Sequence, residues 1–92
     1  MIIDPNDIVY IEREGNYISI FCTDKKIVAR QPIDRFLQEL DETIFFKIHR
    51  SYVVNLKKVK KFSKKDLHIG DAILPISRNY VGIFEERMNN PA

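Results

Sequence analysis

The sequence predicts a mostly β protein with two short helices. Runs of β-branched and aromatic residues alternate with short polar turns along most of the chain. Two other stretches have apolar residues at helical spacing. The chain has 92 residues, 45% of them hydrophobic, which is enough for one core and too little for a catalytic domain with a separate cofactor domain. We therefore expect residues 1–92 to form a single domain.

The first third of the chain predicts an antiparallel meander. Residues 8–11 and 17–22 form a hairpin around a short polar turn, and residues 27–29 form a third short strand. At Pro32 the apolar spacing changes to i, i+3, i+4, i+7, which indicates one short amphipathic helix that ends at Leu40.

The β pattern returns in the middle of the chain. Residues 45–48 and 52–54 are strand-like, and the polar residues His49-Arg50-Ser51 between them predict a bend or loop. Residues 56–62 have apolar side chains at Leu56, Val59 and Phe62 among lysines. The spacing of these apolar residues and the lysine-rich composition do not indicate the same element. We interpret them as a strand with an exposed lysine face.

The last third predicts a hairpin and a helix. Residues 67–69 and 72–74 flank Gly70-Asp71, a pair that suits a two-residue turn. Ser77 is a candidate N-cap for a final helix that docks on a sheet. The side chains on its apolar face are Tyr80, Val81, Phe84 and Met88.

Charge is distributed unevenly along the chain. The formal net charge is +2, yet residues 47–65 contain eight Lys or Arg and no Asp or Glu. The flanking segments are acidic, with five basic and nine acidic residues before this block, and two and four after it. A basic block favours binding to a polyanion such as nucleic acid. Lysines also occur on exposed strand edges, where they keep the edge solvated and prevent aggregation.

No pattern in the sequence indicates an enzyme. His49 and His68 are too far apart in sequence for a short-spaced zinc site, and the three glycines are too scattered to form a phosphate loop. We expect no cofactor and no metal. The lone Cys22 suits a reducing compartment, and the chain contains neither a membrane-spanning run nor a signal peptide, so we expect a cytoplasmic protein.

Three polar groups stand at the ends of β elements: Asn16-Tyr17, His49-Arg50-Ser51 and Ser77-Arg78-Asn79. Arginine can pair with guanine and asparagine with adenine, and the hydroxyl and amide groups suit phosphates. Each group also has a structural explanation, as a turn residue, a helix cap or a surface ion-pair partner. From the residues alone, both explanations stay open.

The string Phe46-Lys47-Ile48-His49-Arg50-Ser51-Tyr52-Val53-Val54-Asn55 resembles the central signature of the LytTR family of bacterial DNA-binding domains. The similarity covers nearly the whole chain, including residues 8–12 and Leu74-Pro75-Ile76-Ser77-Arg78. It implies an elongated arrangement of small antiparallel sheets, whose loops enter successive major grooves on one face of DNA.

The resemblance also implies site residues. Asn16, or its neighbour Tyr17, Arg50 and Arg78 are expected to read bases. Phosphate contacts are expected from a second set: Tyr17, Ser51, Lys57, Lys58 and Asn79. His49 is expected either to contact DNA or to hold the bend between two strands.

Family members bind direct-repeat promoter sites, and many are output domains of response regulators in two-component systems. The expected partners are double-stranded DNA, a second copy on an adjacent half-site, and a receiver domain for which 92 residues leave no room. We interpret the chain as an excised output domain or a free-standing regulator, and the start at Ile2-Ile3-Asp4-Pro5 favours excision.

Two other functions remain as alternatives. A β-rich protein-interaction module would dock its lysine face on an acidic partner. RNA binding is disfavoured because most aromatic residues occupy apolar strand positions and do not form an exposed stacking platform.

Overall fold

Residues 3–89, which the computed structural model describes, form eight strands and two helices. The strands are β1 (Ile8–Glu14), β2 (Tyr17–Cys22), β3 (Lys26–Ala29), β4 (Phe45–His49), β5 (Tyr52–Asn55), β6 (Val59–Phe62), β7 (Asp66–Ile69) and β8 (Ala72–Pro75). The helices are α1 (Ile33–Leu37) and α2 (Arg78–Asn89). The predicted fold class, mainly antiparallel β with two short helices, is confirmed.

The strands form two antiparallel sheets. The first has the order β3-β2-β1-β5-β4 and the second the order β6-β7-β8. The predicted meander is the β1–β3 part of the first sheet. Pairing of β1 with β5, in which Glu12 lies opposite Tyr52, adds the β4–β5 hairpin to that meander. The molecule measures 34 Å along its longest axis and 24 Å along the other two.

Each face of the five-stranded sheet covers a separate hydrophobic core. Val53 and Val54 are neighbours on β5, so their side chains point to opposite faces, and both are fully buried. Val53 packs in the core that α1 closes with Ile33 and Phe36. Val54 packs in the core that the three-stranded sheet and α2 close, with Phe84 of α2 fully buried there. The second sheet and α2 are thereby fixed against the first.

Two elements are shorter than the sequence predicts. Helix α1 ends at Leu37 and not at Leu40, because the amides of Glu39 and Leu40 bond back to carbonyls three residues earlier. The predicted strand over residues 56–62 begins only at Val59. It is preceded by a 3₁₀ turn, Leu56–Lys58. This turn explains why the spacing of the apolar residues in this segment does not fit a strand.

Candidate nucleic-acid interface

The first polar group lies on a two-residue turn. Strand β1 continues through the polar residues that the sequence assigns to the turn, up to Glu14, which pairs with Tyr17. The turn itself is Gly15-Asn16. Gly15 adopts a φ of +62°, which its missing Cβ permits. Asn16 is exposed and Tyr17 is 47% exposed, so both side chains are available to a ligand.

The second polar group is also a two-residue hairpin turn. His49 pairs with Tyr52, which leaves Arg50 and Ser51 as the turn residues. The Nδ1 atom of His49 accepts a hydrogen bond of 3.0 Å from the amide of Ser51, and its ring centroid lies 5.5 Å from that of Tyr52. His49 therefore holds the bend, one of its two expected roles. Arg50 is exposed.

The third polar group begins helix α2. The carbonyl of Ser77 accepts hydrogen bonds from the amides of Tyr80 and Val81, which starts the helix after Ser77 as predicted. Arg78 and Asn79 occupy the first helical turn and are exposed. Their side chains are free to meet a ligand that approaches this end of the molecule.

Two backbone hydrogen bonds bring the three groups together. The amide of Arg13 donates to the carbonyl of Ser51 at 2.8 Å, which fixes the end of β1 beside the Arg50-Ser51 turn. The amide of Ser77 donates to the carbonyl of Ile48 at 2.8 Å, which fixes the start of α2 beside the end of β4. We call the resulting surface, residues 14–17, 49–52 and 76–79, the loop end.

The loop end contains most of the expected contact residues. Because neighbouring strands are about 4.8 Å apart, the centres of the two hairpin turns are separated by about 10 Å, and the Ser77 segment follows at about 7 Å. The residues it brings together are Asn16, Tyr17, His49, Arg50, Ser51, Arg78 and Asn79.

Lys57 and Lys58 are not part of the loop end. They follow β5 at its opposite end, where Asn55 pairs with Phe45. The side chain of Asn55 accepts a hydrogen bond of 3.0 Å from the amide of Lys57 and so caps the 3₁₀ turn there. Their assignment as phosphate contacts stays a prediction, and their position does not favour direct contact with a duplex at the loop end.

The sequence does not single out two arginines that lie beside the loop end. Arg13 and Arg30 are exposed and line a shallow groove with Asn16. Arg30 directly follows β3, whose last residue, Ala29, pairs with Ile18 near the first turn. The signal in the sequence was a polar residue near the end of a β element, the feature that the three polar groups share.

Acidic side chains lie at the loop end and beside it, Glu14 within it and Glu12 next to it. Burial raises the pKa of Glu12, and a hydrogen bond and the charge of Glu14 raise it further. Burial also raises the pKa of Tyr52, with the charges of Glu12 and Glu14 acting in the same direction. Lys47 forms an ion pair of 2.6 Å with Asp34, so its ammonium group is already engaged.

Other chemistry finds little support in residues 3–89. They contain no group of three His, Cys, Asp or Glu side chains that could hold a metal ion. Cys22 is 9% exposed, and burial raises the pKa of its thiol, which favours the protonated, less reactive form. Within the same span, no helix has the length and apolar character needed to cross a membrane.

Known proteins resemble both the sequence and the fold. An uncharacterized response regulatory protein of Vibrio cholerae is 31% identical over 91% of this chain and 36% of its own length. The sensory transduction protein LytT of Enterococcus faecalis is 28% identical over 95% of this chain and 38% of its own length. The chain thus spans less than two fifths of either relative.

The fold matches a solved LytTr DNA-binding domain from Bacillus cereus with a TM-score of 0.81, covering 94% of this chain and 84% of that one at 17% identity. The family profile described as the LytTr DNA-binding domain matches residues 1–89. The resemblance that the central signature suggested is confirmed over almost the entire sequence, and the chain belongs to the LytTR family of DNA-binding domains.

Proposed function

We propose that this chain binds promoter direct repeats sequence-specifically, as the output domain of a bacterial transcription regulator. The observation that carries this proposal is the pair of backbone hydrogen bonds, Arg13 to Ser51 and Ser77 to Ile48, that holds three polar groups at one end of the molecule. Residues that are distant in sequence become one exposed surface with arginine, asparagine and hydroxyl groups, the side chains that DNA recognition requires.

The proposal separates base contacts from phosphate contacts. Arg50 and Arg78 each have a guanidinium group that can donate two hydrogen bonds to guanine O6 and N7, and Asn16 has an amide that can pair with adenine. Tyr17, Ser51 and Asn79 stand directly beside these residues. Their hydroxyl and amide groups are expected to bind phosphates and to fix the register of the domain on the duplex.

His49 supports recognition through the turn that it holds. Its Nδ1 atom is occupied by the amide of Ser51, so a contact to DNA is open only to its Nε2 atom. We therefore assign His49 a positioning role for Arg50 and, through Nε2, a phosphate contact.

The size of the loop end supports binding of two copies. Its three turns span about 17 Å of backbone, which is about half of the 34 Å helical repeat of DNA. One copy therefore contacts few base pairs. A second copy on an adjacent half-site, one helical turn away on the same face, doubles the recognised sequence and increases the affinity.

The relatives support a larger architecture. Both are more than twice as long as this chain, and one is named as a response regulatory protein. We propose that the natural regulator also contains a receiver domain, whose phosphorylation controls how the domain engages DNA. In this proposal the chain binds DNA and catalyses no reaction.

Selection of bound sequences from a random duplex pool tests the function. We expect enrichment of a direct repeat with a spacing of about 10–10.5 base pairs. Arg78→Ala is expected to abolish preference at particular base pairs, at a loss of about 1–3 kcal/mol for the preferred base. The control is Lys25→Ala, which removes an exposed cation from the opposite end and should leave the preference intact.

Two results would oppose the proposal. A pool that shows no enrichment, with only weak and salt-sensitive duplex binding, would favour the protein-interaction module. An Arg78→Ala variant that selects the same sequences as the parent would remove Arg78 from the base-reading set.

A further inference from the structure

The turn between β6 and β7 has two exposed lysines, Lys64 and Lys65. The amide of Ile76 donates a hydrogen bond of 2.9 Å to the carbonyl of Lys65. Because the next residue, Ser77, is bonded to Ile48 at the loop end, this contact fixes the lysine turn directly beside the segment that carries Arg78. The loop end is thus continued on one side by two cations that the family signature does not include.

The backbone of this turn is held in one conformation. The hydroxyl oxygen of Ser63 accepts hydrogen bonds from the amides of Lys65 and Asp66, at 3.1 Å and 3.2 Å. The amide of Ser63 in turn donates to the carbonyl of Asp66 at 2.8 Å. A fixed backbone positions the two lysines without a further ordering cost for the loop.

Neither lysine is neutralised within the protein. Across residues 3–89, the ion pair between Lys47 and Asp34 is the only one within 4 Å, so no carboxylate of this span engages Lys64 or Lys65. Asp66, the nearest acid in sequence, is bonded to the hydroxyl of Ser63. Both ammonium groups are therefore available to an external anion.

Protection of a strand edge does not account for these lysines. Lys60 and Lys61 are exposed on β6, an edge strand of the second sheet, and they already provide the charge that discourages pairing with another chain. Lys64 and Lys65 lie beyond the end of that strand, where no unpaired ladder needs protection. Their position instead matches that of the other cations at the loop end.

We propose that the Lys64-Lys65 turn binds phosphates of the DNA duplex beside the bases that Arg78 reads. The proposal rests on the proposed function and extends it, since it adds a fourth contact segment. An ammonium group is a compact point charge that suits phosphate oxygens and lacks the planar fork with which arginine reads guanine. The turn therefore contributes affinity and orientation for the Arg78 segment, and no sequence preference.

A pair of double variants tests the turn. Lys64→Gln with Lys65→Gln removes two charges beside the loop end. Lys25→Gln with Lys26→Gln removes two charges at the opposite end, where the amide of Cys22 bonds to the carbonyl of Lys25 in the β2–β3 turn. The net charge changes equally in both. The control also loses the contact of Lys26 with the Phe21 ring, whose centroid lies 5.3 Å from the ammonium nitrogen.

The measurement is the affinity for the selected duplex as a function of salt concentration. Each phosphate contact contributes about 0.9 to the slope of log K against log salt, so we expect the Lys64/Lys65 variant to lower the slope by about 1.8. The Lys25/Lys26 variant should keep the parent slope. Both variants should select the same base sequence as the parent, and Lys64→Arg with Lys65→Arg should restore the slope. Thermal unfolding verifies that each variant is folded.

The outcomes distinguish this inference from the function on which it rests. Equal slopes in the parent and the Lys64/Lys65 variant, with specific binding intact, would overturn the role of the turn alone. Equal reductions in both double variants would also overturn it, since they would reflect net charge. A parent protein without any preferred duplex would overturn the proposed function itself.

Discussion

The Nδ1 atom of His49 accepts a hydrogen bond of 3.0 Å from the backbone amide of Ser51, across the turn that carries Arg50. An amide nitrogen can only donate, so Nδ1 bears a lone pair, and the proton of the neutral ring is on Nε2. The imidazole thus does what an asparagine side chain does in an Asx turn, bonding to an amide two residues later.

His49→Ala is expected to weaken specific DNA binding although it removes no base-reading group. Without the acceptor, the amide of Ser51 loses its partner and the turn no longer fixes Arg50. We expect a several-fold loss of affinity for the selected duplex, a smaller loss for unrelated duplexes, and partial rescue by His49→Asn, which restores a short acceptor. Fluorescence titration of both duplexes measures the two affinities. Equal losses for both duplexes in His49→Ala would argue against a positioning role.

Asn55, the last residue of the family signature, is predicted to stabilise the fold. It is 2% exposed, and its side-chain amide donates to the carbonyl of Ile8 at 2.9 Å while its oxygen accepts from the amide of Lys57. Asn55→Ala leaves both backbone groups without these partners, so we expect the free energy of unfolding to fall by about 2–4 kcal/mol. Urea denaturation measures it, with the exposed Asn6→Ala as a control that should change little. A change below 1 kcal/mol in Asn55→Ala would mean that water replaces these bonds.

The strands were predictable because their causes are local. β-branched and apolar residues such as Ile18 and Ile20 mark β2, and Gly70, with a φ of +56°, marks the last hairpin. The pairing of β1 with β5 was not predictable, since it joins residues about 40 positions apart and depends on which faces the two cores bury. The proximity of the three polar groups depends on that pairing.

In the candidate site, too, the sequence predicts the residues but not where the fold places them. Arg50 and Arg78 were selected through the family resemblance, which preserves their order but gives no distances. Lys57 and Lys58 were selected because they are near the signature in sequence. The Asn55 cap directs them into a 3₁₀ turn at the opposite end of β5, an effect of one side-chain hydrogen bond that hydrophobic periodicity does not reveal.

Glu12 should make stability depend on pH. Its pKa is raised, chiefly by burial and then by Glu14, with the charge of Lys26 acting in the opposite direction. A carboxyl group with a raised pKa contributes stability that is present below its unfolded pKa and is lost as pH rises through its folded pKa. Glu12→Gln should therefore be more stable than the parent at neutral pH, and the difference should shrink as pH falls through the raised folded pKa and vanish below about 4.

Urea denaturation of Glu12→Gln and the parent between pH 3 and pH 7 measures this difference. Glu39→Gln, at an exposed position after α1, controls for the loss of one negative charge. A difference between Glu12→Gln and the parent that stays constant across the range would mean that titration of Glu12 is not its cause.

Lys57 and Lys58, at the opposite end of the molecule, are not expected to contribute to the salt dependence of DNA binding. Lys57 and Lys58 flank the far end of β5, whereas the duplex in our proposal lies against the turns at its near end. Exposed charges act over about 10 Å at 0.1 M salt, so at this concentration their field is largely screened at the loop end. Replacing both by Gln should therefore leave the salt slope of specific binding unchanged, unlike the same change at Lys64 and Lys65.

A slope lowered by about 1.8 in the Lys57/Lys58 variant would instead support their assignment as direct phosphate contacts. Because these lysines and the loop end are separated by the length of β5, such a result would require the duplex to bend around the second sheet or to lie along β5. Hydroxyl-radical footprints of parent and variant discriminate these arrangements. Protection that extends beyond the bases of one repeat in the parent, and is lost in the variant, would identify the lysines as the second contact region.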